Sequence, residues 1–284
     1  MGIETRHLPV LEGDGLIAPD VGDWNEKKYR LVQNYANMFA SSMKGKWDHL
    51  VYLDLFAGAG RSTLRGSKEI VTASPLLALD IPAPFTQYIF CELDQEKLDA
   101  LRQRVGRDFS GHDVSFLHGD ANWLVERILG EMPSPHRGCK VLGFCFADPY
   151  NLENLKFETI SQLSRRYFDF LVLIPTGMDA QRNIERYAAK TESKLDDFLG
   201  TSEWREEWVE AKRRGERAAM FLTRFLGEQM ATLQYKPTDP AETVAIKNER
   251  NATIYRLGFY SRHNLAKKFW QQVKKYSDDQ LELF

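Results

Sequence analysis

The chain is poor in cysteine: 3 in 284 residues, at Cys91, Cys139 and Cys145, with neither disulfide-framework nor zinc-ligand spacing. That excludes a disulfide-stapled secreted scaffold and leaves Cys91 and Cys145 to be read as small core residues in a reducing cytoplasm. Its 6 histidines form no ligand set, so no metal site is read. Charge of one sign is lacking too. With 38 basic residues against 40 acidic ones, the chain is no polycation that grips nucleic acid regardless of sequence, although a local basic cleft stays open. No apolar run approaches the length of a membrane span, and residues 1–20 carry no apolar signal-peptide segment. The expectation is a cytoplasmic protein with no membrane partner. Internal repeats and low-complexity tracts are missing.

What is there is a large core. Hydrophobic residues make up 43% of the chain and aromatic ones 12%, ample for a sizeable globular domain. Residues 1–22 are rich in Gly, Pro and acids and read as a surface arm. Over 24–43, Tyr29, Val32, Tyr35, Ala36, Phe39 and Met43 recur at helical spacing and predict an amphipathic helix. Apolar strand-type runs at 51–55, 88–93, 114–118, 141–147 and 170–174 then alternate with helical patterns. Ser74-Pro75 predicts an N-cap and first-turn proline between the first two runs. After Pro175 the alternation stops. Residues 178–233 read as helices only, and strand signal returns at 243–247 and 253–260 before a last helix over 265–276.

Strands this apolar, separated by amphipathic helices, imply a doubly wound, mostly parallel sheet of about seven strands that ends in an antiparallel hairpin. The fold class is Rossmann-like α/β. Its expected organisation is an arm and helix at 1–46, a core at 47–177, a helical insertion at 178–235, and the closing hairpin and helix at 236–284.

In such sheets ligands sit beyond the carboxyl ends of the strands, where the strand order reverses. The first strand ends in Asp54 and turns through Phe56-Ala57-Gly58-Ala59-Gly60. Glycine there permits a tight turn and close approach of a ligand to the backbone. The pattern is G-x-G only, since Thr63 stands where a dinucleotide fingerprint has its third glycine. At the second strand end lies Glu92-Leu93, with an acid placed to accept both hydroxyls of a ribose. The third end, Asp120-Ala121-Asn122, offers an acid for an adenine amino group and backbone donors beside it. Asp54 is placed to hold a cationic or amino-acid portion, directly or through water. Several acids and no phosphate-binding lysine favour a ligand of positive character. The fourth strand ends in Asp148-Pro149-Tyr150.

These four motifs, in this order, resemble the class I methyltransferases that use S-adenosyl-L-methionine. More narrowly, the chain resembles the three-Cys-motif partner proteins, on the helix carrying Trp24, Lys28 and Tyr35, the glycine turn, the loop to Ser74-Pro75, Glu92, Asp148-Pro149-Tyr150 and the closing segment over 254–263. That resemblance implies a methyltransferase-like fold, S-adenosyl-L-methionine as cofactor, and a partner protein bearing a three-cysteine motif. Asp148-Pro149-Tyr150 is similar to the D/N-P-P-Y/F signature of enzymes that methylate exocyclic amino groups of bases. In that signature the acid and a proline carbonyl receive the amine and the ring stacks on the base. Here one proline is missing and Asn151 follows the tyrosine. The resemblance implies methyl transfer to an amino group of a nucleic-acid base. Two alternatives stand beside it: a non-catalytic, partner-binding subunit, and a methyltransferase acting on a protein or small molecule. Arg61 and Arg65 read as solvated loop residues, and Trp204, Trp208 and Phe225 as helix packing.

Overall fold

The computed structural model describes residues 8–278. A short strand β1 (Asp20–Val21) leads into helix α1 (Asn25–Met43) and strand β2 (His49–Asp54). The chain continues through β3 (Arg61–Leu64), β4 (Ile70–Thr72), α2 (Ser74–Leu79), β5 (Gln87–Glu92), α3 (Gln95–Asp108), β6 (Val114–His118), α4 (Val125–Glu131) and β7 (Val141–Ala147). A 3-10 turn, Leu152–Asn154, precedes α5 (Phe157–Leu163) and β8 (Phe168–Ile174). Helices α6 (Met178–Ala188), α7 (Lys194–Leu199), α8 (Trp204–Arg213) and α9 (Ala218–Thr232) come next, then β9 (Val244–Lys247), β10 (Thr253–Tyr260) and α10 (Asn264–Asp278).

The main sheet has 7 strands in the order β6-β5-β2-β7-β8-β10-β9. All neighbours from β6 to β8 pair in parallel, and β10 runs antiparallel to both β8 and β9. This is a doubly wound, Rossmann-like sheet with the strand order of the methyltransferase fold. Alternate side chains explain why it is covered on both faces. Leu50, Tyr52, Tyr88, Phe90, Phe144 and Phe146 enter one core with α1, α2, α3 and α10. Val51, Leu53, Ile89, Cys91 and Cys145 enter the other. Both cysteines are buried and free, as their strand positions predict.

The helical block is part of that second core. Trp204, Trp208, Phe221, Phe225 and Met230 are buried in the same cluster as the strand residues. Burying an apolar helix face against a sheet is the normal way such a face is removed from water. The block therefore forms a covering layer of the sheet.

Two local expectations are corrected. Helix α2 begins at Ser74 with Ala73 at the N-cap, and the Ser74 hydroxyl bonds a side chain rather than capping the helix. The stretch between Gly60 and Ser74 is a hairpin, not a long loop: β3 and β4 pair antiparallel, and β1 of the arm adds in parallel to β3. Among the described residues no helix is long and apolar enough to cross a membrane.

Candidate functional site

The order β6-β5-β2-β7 sets the four motif-bearing strand ends side by side at one sheet edge. The centre of that edge is defined by two hydrogen bonds. The Gly58 N–H donates to Glu92 Oε2 at 2.8 Å, and the Asp94 N–H donates to Glu92 Oε1 at 2.9 Å. A carboxylate has about four acceptor positions, so Glu92 keeps capacity on both oxygens for a pair of hydroxyl donors. Gly58 has φ +64°, and a Cβ built on it would meet no heavy atom within 4 Å. The turn is open at that point. At Gly60, φ +81°, a Cβ would lie 2.8 Å from Leu101 and 3.0 Å from Leu76, so this glycine is required by packing. Ala57 is buried and its N–H donates to the Cys91 carbonyl, while half-buried Phe56 packs on the core. Leu93, 63% exposed, projects beside this mouth.

Asp54 lies buried beneath the glycine turn. Its residue exposure is 0%, with the Phe56 N–H on Oδ1 at 3.1 Å and the Ser74 hydroxyl on Oδ2 at 2.8 Å. Burial pushes its carboxyl up to about 7, against the lowering effect of those two donors. Its direct neighbours are the turn and α2, which it fastens together.

At the third strand end, Asp120 Oδ1 takes both the backbone N–H and the side-chain amide of Asn122, each at 2.8 Å, so Oδ2 carries neither bond. Of the two backbone donors expected here, the Asn122 N–H is taken up by Asp120, and the Asn122 side chain is engaged elsewhere. Its side-chain oxygen accepts from Lys156 N–H and the Thr159 hydroxyl, and its amide also donates to the Asn154 carbonyl. It ties this turn to the segment after β7, and Ala121 is buried beneath it.

The fourth strand end holds Lys28, which the sequence reading placed on the first helix and gave no role at this edge. Lys28 of α1 reaches Asp148 Oδ2 in a short ion pair, with side-chain exposures of 6% and 18%. The cleft does contain a lysine. Burial works to lower the Lys28 pKa, but the Asp148 carboxylate and Tyr29 outweigh it and leave the ammonium raised. The signal was present: Lys28 falls at helical spacing with Val32, Tyr35 and Phe39, so the apolar stripe of α1 places a lysine on the buried face. Pro149 is buried and Tyr150 is 80% exposed, its carbonyl accepting from the Tyr255 hydroxyl at 3.4 Å. Asn151 caps the 3-10 turn that follows, bonding Glu153 N–H at 3.0 Å.

The arm expected over residues 1–22 is held by a contact that the sequence reading did not anticipate. Arg104 of α3, 0% exposed, grips Asp14 through Nε and Nη2 at 2.8 and 2.7 Å, and donates from Nη1 to the Ala59 carbonyl at 2.6 Å. One guanidinium thus straps residues of the arm to the glycine turn. Arg61 joins it, donating to the Glu12 carbonyl at 3.1 Å and facing Asp14 at 3.3 Å, so it is not a solvated loop residue.

Glu92 and Asp120 Oδ2 thus offer carboxylate acceptors on one edge, beside the Gly58 turn and the exposed Leu93. No protein-family model matches the sequence, and no curated protein sequence does. Solved structures similar to this chain include the O-methyltransferase from Bacillus cereus in complex with SAH, at 10% identity and TM-score 0.48, covering 82% of this chain and 80% of that one. A putative O-methyltransferase from Klebsiella pneumoniae is 12% identical with TM-score 0.43 over 84% of this chain and 90% of its own. Trm1 from Pyrococcus horikoshii, solved with S-adenosyl-L-methionine, is 12% identical with TM-score 0.46 over 95% of this chain and 64% of its own.

Proposed function

We propose that this protein is an S-adenosyl-L-methionine-dependent methyltransferase acting on an amino group of a nucleic-acid base, together with a partner protein that carries a three-cysteine motif. The observation that carries it is the Glu92 carboxylate held on the Gly58 amide at an open mouth. When bound, the cofactor supplies an electrophilic methyl carbon. Glu92 takes the ribose hydroxyls, Asp120 Oδ2 takes the adenine amino group, and Leu93 covers the ring. Gly58 lets the ligand lie against the backbone. Asp148, Pro149 and Tyr150 hold the acceptor, with the exposed Tyr150 ring offered to a base that has left its stack. Asp54 acts through the turn it fastens.

One observation favours a second reading. Asp148, the acid meant to receive an amine, already holds Lys28. An acceptor must use the other carboxylate oxygen or displace that ammonium. If it does neither, the chain is a partner-binding subunit that keeps the fold, or its acceptor belongs to a protein or small molecule. The test is radiolabelled methyl transfer from S-adenosyl-L-methionine to cellular RNA, DNA and protein fractions, with and without the partner. Label in RNA or DNA supports the proposal. Label confined to protein or small molecules replaces the acceptor, and none in any fraction leaves the subunit reading.

A further inference from the structure

The opposite edge of the sheet, at the amino ends of β2, β7 and β8, carries a separate cavity of about 420 Å³. It is removed from the proposed cofactor mouth by the length of the strands, about 20 Å for a strand of 6 residues. Phe39 and Trp47, with Tyr167, Phe168 and Phe269, line it, and the Trp47 and Tyr167 rings lie 6.0 Å apart. Among these rings sits one carboxylate. Asp169 lines the cavity at 7% exposure.

Asp169 has polar neighbours but, among the described residues, no counter-ion. The Tyr35 hydroxyl donates to Oδ2 at 3.0 Å, and Ser261 supplies a second hydroxyl. Among the described residues no cation forms an ion pair with it. Of the cationic residues that share the lining, Arg262 spends its guanidinium on the Ser164 and Leu233 carbonyls at 2.7 and 3.1 Å, and Lys46 and His263 are exposed. Burial pushes the Asp169 carboxyl up to about 6. Buried carboxylates are ordinarily paired, because desolvation of a lone charge is expensive. Two hydroxyl donors leave acceptor positions open. Aromatic walls around a carboxylate are the chemistry that recognises an organic ammonium, through the charge and the ring faces together.

We propose that this cavity is a second binding site, independent of the methyl-transfer site, for a small organic cation with an aromatic body, whose ammonium meets Asp169. The volume suits such a ligand, since small-molecule sites begin at about 300 Å³.

Calorimetric titration of the full chain with tryptamine and with tryptophol, which replaces the amine by a neutral hydroxyl, tests the charge requirement. Tryptamine is expected to bind roughly tenfold or more tightly than tryptophol, as a charge-assisted hydrogen bond demands. Asp169→Asn is expected to bring the two to parity. Leu142→Trp, which fills the cavity from its half-exposed wall, is expected to abolish binding with the fold intact by circular dichroism. Should Asp169→Asn not fold, the wild-type ratio and the Leu142→Trp loss decide the matter. Equal affinity for the two compounds, no heat from tryptamine, or unchanged binding by folded Leu142→Trp overturns the proposal.

Discussion

Lys28 and Asp148 stand 120 residues apart in sequence and meet as an ion pair at the carboxyl edge of the sheet. The pair joins the amino-terminal half of α1 to the end of β7, so the helix that covers the sheet also supplies a charge to the proposed acceptor position. Removing one member of a buried pair leaves the other charge uncompensated. Lys28→Met is therefore expected to lower stability by roughly 3 kcal/mol, read as a lower urea midpoint. Lys28→Met combined with Asp148→Leu should recover most of that loss, because neither charge is then stranded. A single substitution that leaves the midpoint unchanged would show the pair to be solvated.

The two glycines of the turn are expected to fail in different ways. An alanine at Gly58 adopts a left-handed backbone at a cost of about 1 kcal/mol, and its methyl group enters the open mouth. Gly58→Ala should thus weaken cofactor binding well beyond its modest effect on unfolding. At Gly60 the added carbon lies within 3.0 Å of Leu76 and Leu101, so Gly60→Ala should cost stability first. Chemical denaturation and calorimetry on both variants separate the two. Equal losses on both measurements for both variants would contradict the assignment.

Stability should depend on pH in a direction opposite to that of a protein held by paired carboxylates. Asp54 is pushed up to about 7 and Asp169 to about 6 by burial, against an ordinary value of 3.8. The folded state then holds protons that the unfolded state has lost, so stability rises as pH falls from about 8 towards 5. For Asp54 the effect between pH 8 and pH 5 is on the order of 3 kcal/mol. Asp14 has the reverse sign: its hydrogen bonds to Arg104 hold it well below the ordinary range, and its contribution is lost only as pH falls below about 4. Urea midpoints at pH 8 and pH 5 check this, with a higher midpoint expected at pH 5. Asp54→Asn should flatten most of the difference. A midpoint that falls between pH 8 and pH 5 contradicts it.

Much of the fold is legible in the residues. The runs over 114–118, 141–147 and 253–260 match β6, β7 and β10 end for end, because each is a continuous β-type segment that stops at Gly119, Asp148 or Ser261. Strands β1, β3 and β4 are not legible: they span 2, 4 and 3 residues, and Arg61, Ser62 and Thr63 carry no apolar pattern. At the candidate site, the meeting of the first two motifs is legible: Gly58 and Glu92, expected at neighbouring strand ends, are hydrogen-bonded. The site is not legible where a polar residue spends its groups internally. The internal bonds of the Asn122 side chain to Lys156 and Thr159, and of Asp54 to Phe56 and Ser74, have no signature in the motifs themselves. Pairing across distant segments, as between Lys28 and Asp148 or Arg104 and Ala59, leaves no local trace beyond a charge on an apolar stripe.

The most direct measurement is calorimetric titration of the folded chain with S-adenosyl-L-homocysteine, repeated on Glu92→Ala. One molecule bound per chain by the wild type is predicted. For Glu92→Ala a loss of roughly 10- to 100-fold in affinity is predicted, from two charge-assisted hydrogen bonds to the ribose. No heat from the folded wild type, or the same affinity with alanine at position 92, would contradict an adenosine seated between Glu92 and Gly58.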